Sequence, residues 1–425
     1  MSRLITSNAS QLFLFPSSFD CWLPRDHQVR FFDEIIEELE LSEITDTLDL
    51  DQKRGRPAYD PKMMTKLVIY GYAEGITSAR KLEKACIERI DFRFITGNRL
   101  PDYRSIARFK KLHLKALAGL HGQILAIAAS DGLIEMKEVA IDGSKILADA
   151  SKHKAMSYEH MCKKEGELRT EIKALRKMMQ HGSRSKRKEI KEEIQFQEAR
   201  LRHIKKWKKA LVERSREEGK EKPEPKDQIN FTDDESRIMK VEKQFEQAYN
   251  AQAAVDKRSQ IILVAFLTQD RNDKALLETM LDQVAETLGL LPDYATADSG
   301  YFGEAQIEKL QNKYKSTQLL VPPDRQHHSD RFISIRGPIP KDSSIADLMR
   351  RKLRTKAGRQ IYGGRKTTVE PVFGQIKEAN LEFRQFSYRG LENAQNEWSL
   401  VCVAHNLVKI FRHRRARRND LRLAA

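Results

Sequence analysis

Apolar residues recur at positions 31, 32, 35, 36, 39, 41 and 44 of FFDEIIEELELSEI, the 3.6-residue rhythm of a helix with one buried face. The next stretch, AYDPKMMTKLVIYGYAEGITSARKLEKACIERIDFRFITG, predicts helix, turn and second helix. Pro61 suits a first turn behind Asp60, Gly75 breaks the run, and Ser78 can cap the second helix. A helix-turn-helix has this signature, and so does a plain helical bundle. Asp102 to Ser130 reads as one long helix closed by Asp131-Gly132. Residues 1–135 are therefore expected to form an all-α N-terminal domain.

After residue 136 the rhythm changes. EVAIDGSKILADA is β-rich around 138–148, and QAYNAQAAVD and QIILVAFLTQD, parted by Lys257-Arg258-Ser259, read as a hairpin of two strands. NDKALLETMLDQVAETLG is an amphipathic helix, PDYATADSGYF is strand then turn, FGEAQIEKLQNKY is another helix, and TQLLVPP is a strand ended by its prolines. Three strands, a helix, a strand, a helix and a fifth strand predict an α/β domain with a mixed sheet over 136–150 and 236–411. Between its first two strands lies an insertion, residues 151–235. There Leu168, Ile172, Leu175 and Met179, then Ile190, Ile194, Leu201, Ile204 and Leu211, predict a coiled-coil-like helical hairpin, and REEGKEKPEPKDQ a flexible return. Residues 324–347 look irregular. An apolar helix, WSLVCVAHNLVKIF, precedes an Arg-rich tail over 412–425.

Charge adds a partner to this picture. The net charge is +16, and 15 of those charges lie in two segments: +10 over residues 152–227 and +5 over 412–425. Basic surfaces of this kind suit a polyanion such as DNA, although a solvated helix face or a tail carries similar runs. Cys21, Cys86, Cys162 and Cys402 show neither zinc-ribbon nor redox spacing. The short apolar run LFLFP near the start is too brief to span a bilayer, so a cytoplasmic protein with no membrane partner is expected.

Three acids stand at element ends beside small or turn-forming residues. Asp142 ends EVAID before Gly143-Ser144, Asp298 ends YATAD before Ser299-Gly300-Tyr301, and Glu370 precedes Pro371, which places it in the first turn of a helix. Such carboxylates can hold divalent metal, because magnesium prefers oxygen ligands. Each also has a plain reading: Asp before Gly is commonly a turn residue, and Thr367-x-x-Glu370 matches a capping box. Asp149, Asp256, Asp270 and Asp273 are further acids in the same region. In LEFRQFSYRG, aromatic packing in the core is favoured over base stacking, and His405 and Asn406 read as satisfied core polar groups.

VAIDGSKILADASK, TADSGYF, and Tyr362-x2-Arg365 followed by TVEPVFGQIK resemble, in order, the three catalytic blocks of insertion-sequence DDE transposases of the broad IS-four-like and IS-five-like group. The stretch from LPRDHQVR through GRPAYDPKMM, GITSARKLE and LPDYRSIARFKK resembles that family's helical N-terminal domain, of the InsH type. The resemblance covers nearly the whole chain. It implies an RNase H-like, five-stranded mixed sheet with flanking helices, Asp142 and Asp298 on its first and fourth strands, and Glu370 as third acid, converging to hold two Mg²⁺ or Mn²⁺ ions. Tyr362, Arg365 and Lys377 then match the family's DNA-contacting residues. Lys377, seven residues after Glu370, would share its helix face. Four residues separate Arg365 from Glu370 where the widest form of the motif has three, which makes Lys366 a rival to Arg365. Asp149 and Ser144 stand where relatives commonly carry Asn and Thr. The implied function is binding of the element's terminal inverted repeats in double-stranded DNA, strand cleavage and strand transfer, with a homodimer in the synaptic complex. The alternatives are a catalytically inactive DNA-binding descendant and an RNase H-like nuclease without strand transfer.

Overall fold

The computed structural model describes residues 18–46, 57–181, 184–324, 336–340 and 342–424. The LFLFP run and half of the expected irregular connection lie outside them. Before the first strand the described residues form seven helices: α1 (Phe19–Trp22), α2 (Gln28–Glu37), α3 (Ser42–Thr45), α4 (Pro61–Ala73), α5 (Ala79–Glu88), α6 (Ile90–Ile95) and α7 (Tyr103–Ser130). Local chemistry sets their ends. The Asp60 carboxylate accepts the Lys62 N–H ahead of α4, and the Asp102 carboxylate accepts those of Arg104 and Ser105 ahead of α7. Gly132, at φ +70°, turns the chain out of α7. Helix α4 is buried almost all round, so within the predicted helix-turn pair only α5 keeps a polar outer face. Helix α7 is long and apolar enough to cross a membrane by length and composition; here it packs along α5 and the C-terminal helix α14 (Leu391–Ala424).

The sheet contains β1 (Glu138–Leu147), β4 (Arg237–Val241), β5 (Gln244–Asp256), β6 (Ile262–Thr268), β7 (Tyr294–Thr296) and β8 (Gln318–Leu320), ordered β4-β5-β1-β7-β8 with β6 also on β5. Strand β5 runs antiparallel to β1, β4 and β6, while β7 is parallel to both β1 and β8. It is thus a mixed sheet of six strands rather than five. The extra strand, β4, is a five-residue run whose polar flanks hide it in the sequence. Helices α10 (Leu276–Leu288), α11 (Glu304–Lys313), α12 (Ile345–Arg354) and α13 (Lys356–Gly374) complete the α/β part.

The insertion is a helical hairpin, α8 (Tyr158–His181) and α9 (Arg184–Glu217), closed at its root by the two-stranded pair β2 (Ala155–Ser157) and β3 (Gln228–Asn230). Its small core of Met161, Leu168, Ile204, Leu211 and Ile229 is separate from the main one. The return expected to be flexible is tied down. The Tyr158 N–H donates to the Asp227 carbonyl at 2.8 Å, and Lys220 pairs with Glu218, Glu224 and Asp227. The main cluster runs unbroken from Phe32 and Leu67 through Ile141 and Val255 to Trp398 and Leu407. Helix α14 joins the two halves, touching α7, α4, α2 and β6. The Arg-rich segment is the continuation of that helix, not a tail: Arg414 pairs with Asp131 and Arg415 with Asp26.

Candidate active site

Parallel pairing of β1 with β7 matches Val139 with Ala295 and Ala140 with Thr296. Asp142 and Asp298 each lie two residues beyond that last pair, at the carboxyl edge of the β1–β7 pairing; β1 itself runs on to Leu147 against β5, so Asp142 lies within its strand and does not end it as expected. In open α/β sheets this edge is where ligands bind. Each carboxylate is steadied by a following amide: Gly143 N–H donates to Asp142 Oδ1 at 2.9 Å, and Gly300 N–H to Asp298 Oδ1 at 2.8 Å. Burial pushes the Asp142 carboxyl up to about 6, opposed by the Arg365 guanidinium and reinforced by the negative charge of Asp298.

Glu370 approaches from outside the sheet. It is not in a first turn: α13 begins at Lys356, capped by Thr355, and Glu370 sits near the helix's other end. Pro371 is therefore interior, and Thr367 is no N-cap, since its hydroxyl donates back to the Gly364 carbonyl at 2.9 Å. An interior proline has no N–H for the carbonyl four residues earlier, here that of Thr367. That carbonyl is taken by the side-chain amide of Gln260, at 3.0 Å, from the β5–β6 turn. The tertiary contact makes the proline tolerable where sequence rules forbid it.

Arg365 lies between the acids. Its Nη1 donates to Asp142 Oδ2 at 2.9 Å, and its Nη2 stands 3.9 Å from Glu370 Oε1. The arginine side chain is 9% exposed and the glutamate 53%. Its Nε is buried without a hydrogen-bond partner. Tyr362, one turn earlier, faces the same guanidinium, and burial raises its hydroxyl pKa. Lys366 points outward and is exposed. Asp142 and Asp298 are thus neighbours, and Glu370 is separated from Asp142 by the guanidinium. Among the described residues no three Asp, Glu, His or Cys side chains stand close enough together to hold one metal ion.

Lys377 does not continue the Glu370 face. After Gly374 the helix widens into a π-turn, Gln375–Ala379, which shifts the angular register of everything beyond it. The Lys377 ammonium instead meets β1, donating to Ser144 Oγ at 2.6 Å and to the Lys145 carbonyl at 3.0 Å, and burial lowers its pKa.

A polar ladder beside the acids escaped the sequence reading. Lys145 pairs with Asp273 at 3.3 Å, and Asp273 Oδ1 also accepts Asn250 Nδ2 at 2.6 Å and Gln252 Nε2 at 2.9 Å. Gln252 Oε1 in turn accepts the Tyr301 hydroxyl. Burial, with Asp273, Asp142 and Asp298 nearby, keeps that phenol protonated. A side chain at Gly143 would collide with the Gln252 amide, so any residue larger than glycine after Asp142 would have to displace that amide from the ladder. The available signal was Asn250 and Gln252 at alternate positions of the otherwise apolar buried stretch 248–255. The other acids are engaged elsewhere: Asp149 with Arg389, Asp256 with the Glu135 and Met136 amides, Asp270 with Thr268. Phe383 and Phe386 are core residues, and His405 and Asn406 are satisfied inside it, as expected.

Asp142 and Asp298 thus stand side by side on a mixed sheet, with Glu370 and the buried Arg365 on a helix beside them. Residues 17–112 match the family Transposase domain (DUF772), and residues 215–407 match Transposase DDE domain. The chain belongs to the insertion-sequence DDE transposases. No curated protein and no solved structure matches it. The DDE match begins beyond Asp142, so it is the pairing of β1 with β5 and β7 that brings this acid into the matched domain.

Proposed function

We propose that this transposase binds the inverted ends of its element, cuts a strand to free a 3′-hydroxyl, and joins that hydroxyl to target DNA, on an RNase H-like fold. The carrying observation is the pair Asp142 and Asp298 at matched positions on neighbouring parallel strands, with Arg365 linking Asp142 to Glu370. The sheet, four strands joined by antiparallel pairing with two more added in parallel beside β1, supports the fold assignment.

The donor chemistry fits a hard divalent cation. Asp142 is a largely desolvated carboxylate beside a second one, and burial raises its pKa even with Arg365 paired to it, so further positive charge would be favoured there. Asp142, Asp298 and Glu370 would hold two Mg²⁺ or Mn²⁺ ions. When bound, such ions raise the acidity of the attacking water or 3′-hydroxyl and stabilise the leaving oxygen. The chain's own residues do the rest. Arg365, pinned by Tyr362 and Asp142, orients the first acid and presents positive charge to a terminal phosphate. Lys377 braces the strand directly after Asp142 through Ser144 and the Lys145 carbonyl. Exposed Lys366 is free to meet the DNA backbone further out. A homodimer would hold both element ends together.

The test is cleavage of supercoiled DNA carrying the element's ends, with Mg²⁺, by the native chain and by Asp298→Asn. Nicking and joined products from the native chain alone are expected. Equal cleavage by both proteins removes Asp298 from the site, and nicking without joined products reduces the activity to that of a nuclease.

A further inference from the structure

Gln260 occupies a position that its own backbone disfavours. It closes the β5–β6 turn at φ +60°, a left-handed conformation that glycine or asparagine adopts at less cost. Neither of those residues carries an amide on a stem as long as glutamine's. The side chain is fully used. Its Nε2 donates to the Thr367 carbonyl at 3.0 Å, and its Oε1 accepts Lys409 Nζ at 2.5 Å and Gln375 Nε2 at 3.3 Å. The backbone is held as well, since His405 Nε2–H donates to the Gln260 carbonyl at 3.1 Å.

What Gln260 touches is the weak point of α13. The Thr367 carbonyl is the one that Pro371 leaves without an intrahelical partner, and Glu370 lies between those two residues. Beyond Pro371 the helix turns π at Gln375, another contact of the same amide. Two departures from α-helical geometry therefore flank the acid, and the Gln260 side chain bonds to both sides of it. From this geometry we infer that Gln260 is a positioning residue for Glu370: it replaces the hydrogen bond lost at Pro371 and sets where the carboxylate stands relative to Asp142. The inference rests on reading Glu370 as the third acid of the site.

Four proteins test it: the native chain, Gln260→Glu, Pro371→Ala, and the double variant. Glutamate keeps an acceptor for Lys409 and Gln375 but cannot donate to Thr367. Alanine at 371 restores an N–H able to bond that carbonyl within the helix. Cleavage of end-bearing DNA is measured across a Mg²⁺ titration, with metal-free affinity for the same DNA and amide exchange over 365–374 alongside. Gln260→Glu is expected to raise the Mg²⁺ concentration for half-maximal cleavage roughly tenfold, as loss of an outer-shell contact does. It should speed exchange over 365–374 and leave metal-free DNA affinity unchanged. In the Pro371→Ala background the same substitution should shift the Mg²⁺ requirement by less than about twofold, because the carbonyl then has its own partner. An unshifted Mg²⁺ requirement in Gln260→Glu overturns the inference, as does a shift that Pro371→Ala leaves in place. A native chain that cuts no DNA overturns the transposase reading itself, and the exchange rates then report only whether the amide holds the helix.

Discussion

The two sides of the acid site are held by different means. Asp142 and Asp298 stand where backbone ladders place them: β1 is paired along its length with β5 and at its start with β7. Moving Asp142 means breaking sheet hydrogen bonds, and Asp298 follows two residues after the last β7 pairing. Glu370 stands on a helix interrupted by Pro371 and a π-turn, and its position depends on side chains reaching over from elsewhere, Arg365 to Asp142 and Gln260 to Thr367. One side is thus rigid by construction and the other by a few adjustable contacts. If the site admits DNA and metal as proposed, it gains from having only one face free to adjust.

The sharpest way to probe the rigid side is Asp142→Asn. Cleavage should fall by more than about a hundredfold, beyond the range of outer-shell changes. Stability should move the other way. With its carboxyl at about 6 rather than 3.8, the folded chain binds this proton more tightly than the unfolded chain does. Stability therefore declines as pH rises between those values, and at neutral pH the ionised form carries the full penalty. Asparagine removes the charge, so the metal-free melting temperature should rise by a few degrees; an unchanged or lower value would show that the β1 site bears no such strain.

On the adjustable side, acid should loosen the Gln260 turn through His405. Burial lowers its pKa from 6.5 to about 3, with Lys409 and Arg412 adding to the effect, so the imidazole is neutral when it bonds the Gln260 carbonyl. The unfolded chain takes up the proton first. The contribution is intact above pH 6.5 and is lost as pH falls toward 3, at up to about 1.4 kcal/mol per pH unit. Urea midpoints at pH 7 and pH 5 should show this decline, and His405→Gln should make it shallower. Parallel slopes for the two proteins would remove the histidine from the account.

The smallest effect is expected from the largest change. Replacing residues 158–227 with Asn-Gly would join Ser157 directly to Gln228, a register these strands already hold, through a two-residue turn. Because the hairpin has its own core, the remaining fold should lose less than about 2 kcal/mol. Collapse of the melting transition would show that β1 relies on the hairpin and not on its ladder.

Much of this was legible from residue order. Caps at Asp60 and Asp102, the stop at Gly132, the hairpin's four-three spacing and the strands that carry Asp142 and precede Asp298 all follow from local propensity and periodicity, which act over a few residues, whereas the end of the first strand was placed too early, at Asp142 instead of Leu147. Glu370 was singled out by its motif and misplaced by its neighbour. The rule that confines proline to a first turn assumes the freed carbonyl has no other partner, and nothing near Thr367 in the chain announces Gln260, 107 residues away. The polar ladder through Asn250, Gln252 and Asp273 was missed for a similar reason, since single polar residues in a buried strand do not say which partners will satisfy them.

Short-range order along the chain determined most of the elements, because hydrogen bonds within a helix and alternation along a strand need only near neighbours. The tertiary structure alone decided that Asp142 stands beside Asp298 where the β1–β7 pairing ends, that Arg365 and not Lys366 turns inward, and that a helix can run through Pro371. Each of these depends on a donor or charge brought from a distant segment, and only closure of the shared core supplies it.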